Sequence, residues 1–332
     1  MKIERKNGAG VRCGSLALGG YRKSVSGKAL EAGNMYPVNL TMPIDNRTAL
    51  ERLTAEYTVK NGETLTGVML GGYAINVNKA NCTVTLDGVD INSIYPVSAY
   101  GIKCLQNTNL ILADCSDNNV VAGVETHAGV LIFSSSKLTI RGNGSLKASG
   151  AKYGAGIGGS GGASQGGDIE IVSGNITAQG GQYAAGIGSG FYSTDRVVDR
   201  AYVGNITISG GIVSAQGGSY GAGIGTGFAN VASNRCGRII IKGGEVSAKG
   251  GTNAAGIGTG AGQARGKNQF ECIYITNGVN RVRAVGRPYS IGIGYEGSPS
   301  NNIYIGCTLD LQDNPIGGRR GMVWDFPYTY QP

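Results

Sequence analysis

The stretch DIEIVSGNITAQGGQYAAGIGSG (168–190) is followed by NITISGGIVSAQGGSYGAGIGTG (205–227) and then by RIIIKGGEVSAKGGTNAAGIGTG (238–260). Each carries two short alternating runs, each closed by glycine, and then a GIG segment. A related unit, KLTIRGNGSLKASGAKYGAGIGG, precedes them at 137–159, and a worn GIG copy, SIGIGY, occupies 290–295. The central isoleucines Ile157, Ile187, Ile224, Ile257 and Ile293 are 30, 37, 33 and 36 residues apart. Alternation with period two, ended by glycine, reads as short strands joined by tight turns. A repeat of this length means a solenoid or a propeller. Propeller blades need four strands, and each unit here offers three.

Strands this short cannot bury a face alone, but they can when coils stack strand on strand about 4.8 Å apart. Stacking predicts one aliphatic column per inward position. The first strand supplies Leu138, Ile169, Ile206, Ile239 and Ile273, beside Ile140, Ile171, Ile208, Ile241 and Ile275. The second supplies Leu146, Ile176, Val213, Val246 and Val282, beside Ala148, Ala178, Ala215, Ala248 and Ala284. The third supplies Ala155, Ala185, Ala222, Ala255 and Ile291, beside the GIG isoleucines. The expected fold is all-β: a parallel, right-handed, three-sided β-helix solenoid with an extended amino-terminal arm and a short carboxy-terminal cap.

The pattern loosens upstream but persists through YTVKNGETLTGVMLGGYAINV, CTVTLDGVDIN and TNLILADCSDN, and NNIYIGCTLDL (301–311) makes a last coil. The domain reading is therefore 1–56, an extended basic anchor and helical cap; 57–311, the β-helix; and 312–332, an aromatic cap or partner-contact tail. The helical part of the cap is read in MPIDNRTALERLTAEY (42–57), from about Asp45 or Asn46.

Composition narrows the function classes. Glycine is about 18% of the chain, 60 of 332 residues, well above the usual ~7%. With 41% hydrophobic residues the chain buries a core, so it is not a disordered linker. Few prolines and no Gly-X-Y period exclude collagen. No apolar run approaches the ~18 residues of a spanning helix, so no membrane insertion is expected. The seven cysteines (Cys13, Cys82, Cys104, Cys115, Cys236, Cys272 and Cys307) are scattered without a CxxC pair. That argues against a zinc site or a dense disulfide framework, and most of them read as buried thiols in a reducing compartment. The amino end, MKIERKNGAGVRCG, lacks the apolar segment of a secretory leader. Of the net charge of +8, much falls in the first 28 residues, which suits docking on another protein. Nucleic acid is disfavoured, because no aromatics interleave these cations and no DNA- or RNA-binding motif follows.

Catalytic signatures are sparse. The single histidine, His127, reads as a turn residue, and no metal site or cofactor is expected. The GxGxxG match at Gly154, Gly156 and Gly159 is followed by a strand rather than the helix a dinucleotide site needs. Asp168 and Glu170, two apart and both outward, form the one candidate carboxylate pair for a glycosidase or lyase, with a solvated surface pair as the plainer reading. Outward between the alanine and isoleucine of the third strand stand Gly156, Gly186, Gly223, Gly256 and Gly292, a side-chain-free strip suited to packing against sister subunits of a homotrimer. The inserts between third and first strands emerge along one edge. They carry Phe191, Tyr192, Asp195, Arg196, Asp199, Arg200, Tyr202, Phe228, Arg235, Arg265, Lys267 and Phe270. Aromatic faces beside such hydrogen-bonding groups suit sugar rings, so this edge is the expected glycan contact.

Units such as GNITISGGIVSAQGG followed by GAGIG, with the earlier YTVKNGETLTG and TVTLDGVDIN, resemble the repetitive parallel β-helix "carbohydrate-binding domain" proteins of gut Bacteroidales. The layout is also similar to β-helical fibres and spikes of phages infecting such bacteria. The resemblance covers about 57–311 and carries over no catalytic residue. It implies a non-enzymatic virion fibre, spike or decoration protein, attached to virion proteins through the basic arm and contacting host-surface polysaccharide. The alternatives are a bacterial cell-surface or secreted adhesin and a polysaccharide lyase or hydrolase.

Overall fold

The computed structural model describes residues 14–18, 21–25, 46–69, 71–92, 100–162, 166–191, 201–230, 234–262, 268–294, 303–306, 309–312 and 323–324. The chain divides into two units, 1–47 and 48–332. In the first, strands Gly14–Leu18 and Tyr21–Val25 pair antiparallel with Leu18 opposite Tyr21. The arm expected to be extended therefore contains a hairpin, and the intervening sequence is Gly19-Gly20, a pair favoured in two-residue hairpin loops.

The second unit is a parallel β-helix. Its first stack contains residues 138–142, 168–171, 206–208, 239–241 and 273–275 in successive coils, all in parallel register. The second contains 145–149, 175–179, 212–216, 245–249 and 281–285. The third runs through nine strands among the described residues, from Tyr57–Thr58 to Ile291–Gly292. At the amino-terminal end, the long strands Glu63–Met69 and Cys82–Asn92 serve the first and second stacks together.

The aliphatic columns hold. Leu138, Ile169, Ile206, Ile239 and Ile273 stand above one another, and each is at most 1% exposed. Burying each such side chain contributes about 1.5–3 kcal/mol, repeated at every rung. One column ends differently from expectation. Ile291, not Ile293, lies over Ile257, and Gly292 lies over Gly258. The cause is loop length. Val285 pairs with Lys249, but GRPYS (286–290) is two residues shorter than GGTNAAG (250–256), so the third strand starts two residues earlier.

The helix expected near Asp45 reduces to a single 3-10 turn, Leu50–Arg52. Thr48–Ala49 instead pair with Leu65–Thr66, and Tyr57–Thr58 open the third stack. Two β-pairings leave too few residues between them for a helix. Capping is still achieved, because Leu50 is fully buried at the end of the core. At the other end Val323–Trp324 pair with Tyr304–Ile305. Apart from Gln312 and that pair, the tail 312–332 lies outside the described residues.

Cys82, Cys104 and Cys236 are buried free thiols. Burial pushes the Cys104 thiol up to about 12. Cys115, by contrast, is disulfide-bonded, so the buried-thiol reading does not extend to it.

Candidate functional site: an aromatic ladder beside a polar groove

Each GIG segment ends the third strand at a glycine that no other residue can replace without strain. Gly188 takes φ +142°, and a Cβ there would lie 1.7 Å from the carbonyl oxygen of Gly225 in the next coil. The glycine one step earlier behaves differently from expectation. A Cβ on Gly186 would meet the backbone nitrogen of Gln216 at 2.7 Å and the carbonyl oxygen of Gly223 at 2.8 Å. Gly156, Gly223 and Gly256 face equally close backbone. The proposed subunit-packing strip is thus closed from within: these glycines let the second strand of the next coil pass close by. Gly292 belongs instead to the Gly188 column, through the register change described above.

Four residues before each GIG isoleucine, three coils carry tyrosine: Tyr153, Tyr183 and Tyr220. Coil stacking puts their backbones in succession, with the Tyr183 N–H donating to Lys152 O and the Tyr220 N–H donating to Gln182 O. Tyr153 and Tyr183 stack at 5.4 Å, and Tyr183 and Tyr220 at 5.2 Å. Beyond each GIG the chain folds back over the preceding coil. The Phe191 N–H donates to Tyr153 O, and the Phe228 N–H to Tyr183 O. The two phenylalanine rings stack at 5.8 Å and lean on the tyrosines at 5.0–5.7 Å. Five rings form one double column. The tyrosines remain half-buried, whereas Phe228 is only 9% exposed. Lys152 lies 4.9 Å over the Tyr153 ring and pairs with Glu125 at 3.6 Å.

Beside the ladder, where the second stack turns into the third, a groove of 850 Å³ crosses five coils. Its floor is the run of glycine turns at 150, 180–181, 217–218, 250–251 and 286. Ser149, Gln179, Gln216 and Lys249 line the side formed by the second stack, in direct coil-to-coil register. Gln182, Ser219, Thr252 and Arg287 line the other side. Gln182 and Ser219 are each followed in sequence by a ladder tyrosine, while the rings themselves do not line the groove. A polymer lying along the coils would meet hydrogen-bonding groups repeated at every ~4.8 Å rung.

The insert edge is only partly this site. Phe191 and Phe228 belong to the ladder. Phe270 does not reach the edge. It is fully buried, because it pairs with Cys236 in a small fourth stack that turns both residues inward. Tyr202 and Arg235 pair in that same stack, where burial and then the Asp168 charge push the Tyr202 phenol up. Tyr192, Asp195, Arg196, Asp199, Arg200, Arg265 and Lys267 lie outside the described residues. The tyrosines and glutamines were missed by sequence reasoning, although their constant offset from each GIG isoleucine was visible.

The carboxylate pair is occupied by the shaft. Asp168 Oδ1 accepts from the Asn205 N–H of the next coil at 2.7 Å. Asn205 Oδ1 in turn accepts from the Arg238 N–H at 2.9 Å. Glu170 pairs with Lys137 at 2.6 Å. A second cleft of 340 Å³ lies on the third stack near Phe133, Tyr100 and Lys103. There Lys103 sits 4.5 Å over the Tyr100 ring, and that ring stacks on His127 at 3.5 Å. A hydrogen bond from Asn76 holds the Glu56 carboxyl below its usual range, against burial and with help from Lys103. Among the described residues, no group of three or more His, Cys, Asp or Glu could hold a metal ion. No helix among them is long and apolar enough to cross a membrane.

A family model described as a beta helix repeat matches residues 138–162, 169–191, 206–228 and 239–261, four consecutive coils. The match agrees with the strand register: the fold of the second unit is a parallel β-helix. The matched segments include Tyr153, Tyr183, Tyr220, Phe191 and Phe228, so the ladder is carried by the best-formed repeats. No curated protein and no solved structure matches the chain.

Proposed function

We propose that this β-helix is a non-catalytic glycan-binding protein, with a polysaccharide lying in the groove beside the tyrosine ladder. The observation that carries this reading is a five-coil groove lined by amide and hydroxyl side chains, two of which, Gln182 and Ser219, directly precede half-buried ladder tyrosines in the chain. Sugars present an apolar ring face and a rim of hydroxyls, and this surface offers partners to both. The non-catalytic reading is supported by the structural use of Asp168 and Glu170, whose carboxylates are engaged along the shaft.

The setting we propose is a phage fibre or spike, a homotrimer attached through the basic residues 1–56. A bacterial surface adhesin is the second reading, and the disulfide at Cys115 favours it, since disulfides persist outside reducing compartments. A glycan array with the whole chain tests the binding reading, with reducing-end analysis of any bound polymer. Binding without cleavage is expected. Cleavage abolished by Asp168→Ala overturns the non-catalytic reading, and absence of binding to any polysaccharide overturns the groove. Light scattering separates the settings: a monomer counts against the fibre.

A further inference from the structure

The groove is not electrically uniform. At its amino-terminal end the lining is neutral: Ser149, Gln179, Gln182, Gln216 and Ser219. At its carboxy-terminal end it gains Lys249 and Arg287, both exposed. No carboxylate lines the groove. Among the described residues neither cation has an ion-pair partner, unlike Lys103, Lys137, Lys152 and Arg238, which each pair with a glutamate. The acid on the Lys249 strand, Glu245, stands four residues back, about 13 Å along the strand at ~3.3 Å per residue, and lies in register with Arg281. Two uncompensated cations at one end of an acid-free groove favour an anion there and leave the other end to hydroxyls.

We infer that the groove selects an acidic polysaccharide, one bearing uronate or sulfate groups, and seats it with its anionic units against Lys249 and Arg287. This rests on the reading of the groove as a glycan site. It adds two statements: the chemical class of the polymer, and the end of the groove at which its charge is read. Neutral units lie along Gln179 and Gln216, next to the tyrosines.

The test is calorimetric titration of the whole chain with polygalacturonate and chondroitin sulfate as acidic polymers and with dextran and laminarin as neutral ones. Acidic polymers are expected to bind more tightly, and to weaken as salt rises from about 20 to about 300 mM, because exposed charges are screened over that range. The double variant Lys249→Gln/Arg287→Gln should lose about tenfold in affinity for the acidic polymers, on the scale of two exposed ion pairs. Lys242→Gln, which removes one exposed cation just after the strand Asn234–Ile241 and outside the groove, should change nothing. Melting temperatures of all variants should match that of the parent, since neither groove cation is buried. Neutral polymers bound as tightly as acidic ones, or a double variant indistinguishable from Lys242→Gln, overturns the inference while leaving the groove intact. Failure of all four polymers overturns the groove reading together with it.

Discussion

The rings of Tyr183 and Tyr220 lie 5° from parallel with their centroids 5.2 Å apart, a spacing set by the coil repeat rather than by the rings themselves. The backbone fixes where successive rungs sit, and tyrosine at a constant offset from the GIG isoleucine converts that rise into a column. Phe191 and Phe228 back the column from one side, so the rings are preorganised before any ligand arrives.

Removing two rings from the ladder should therefore cost binding more than stability. Tyr183→Ala/Tyr220→Ala is expected to weaken glycan affinity by about tenfold or more, since aromatic stacking contributes up to ~1.5 kcal/mol per pair beyond area burial. The double variant should still melt cooperatively, because the aliphatic columns are untouched. Titration beside thermal denaturation checks both. Unchanged affinity in a folded variant would remove the ladder from the site.

Asp168 offers a sharp contrast between two substitutions. Its Oδ1 satisfies the N–H of Asn205 one coil on. Asp168→Ala leaves that half-buried donor without its acceptor, at a cost of about 1–3 kcal/mol. Asp168→Asn keeps an acceptor oxygen and should recover most of the loss. Glu170→Ala removes only a surface pair with Lys137, worth about 1 kcal/mol or less. Denaturant titration of the three variants should give that order. If Asp168→Asn proves as unstable as Asp168→Ala, the carboxylate is held for its charge and the inter-coil bond is not its main role.

Much of this was legible in the sequence, and the failures have physical causes. Inward columns such as Ile169, Ile206 and Ile239 could be read because register in a coil stack is exact to the residue, and a slip of one would turn every isoleucine to water. The Gly186 column misled because an absent side chain looks the same whether it makes room for another subunit or for the chain's own next strand. Only the 2.7 Å approach to Gln216 distinguishes these. The shift to Ile291 was hidden in the length of a turn, not in its composition. Phe270 looked like an edge residue because alternation alone does not announce a fourth short stack. The buried hydroxyls of Ser189, Thr226 and Thr259, each accepting the N–H of a glycine in the next coil at 2.9–3.0 Å, went unnoticed because a polar residue after GIG resembles an ordinary turn.

The first coil carries an acid-sensitive clasp. Burial alone would raise the Glu63 carboxyl, but hydrogen bonds from Thr48, from the Tyr57 phenol and from the Lys60 N–H, with the Lys60 charge, hold it below its ordinary value. A carboxyl depressed on folding contributes stability above its unfolded value of ~4.3. That contribution is lost as pH falls through the lower folded value. The melting temperature should thus decline on acidification below about pH 4.3. Glu63→Gln should be less stable at neutral pH and show a smaller decline. Equal slopes for parent and variant would mean that other carboxylates carry the acid response. Residues joined by this clasp (48, 57, 60 and 63) span the first coil, so hydrogen exchange at low pH should rise there first.

The severest single change predicted is at a residue with no side chain. Gly188 combines φ +142° with a Cβ position 1.7 Å from Gly225 O. Gly162 also has a positive φ, +86°, but nothing lies within 4 Å of its Cβ position. Alanine at 162 should cost only the conformational term, about 1–2 kcal/mol. Alanine at 188 adds a backbone collision that no rotamer can relieve, and the total should exceed about 4 kcal/mol, a range reached only by a few specific defects. Because each coil contacts only its neighbours, the damage should centre on the rungs of Ile157, Ile187 and Ile224 and spread outward. Parallel melting curves and hydrogen exchange of Gly188→Ala and Gly162→Ala measure the difference. Equal destabilisation would show that the third strand can shift by more than an ångström without loss. In that case the rigid spacing of Tyr153, Tyr183 and Tyr220 could not be credited to the glycine column beneath them.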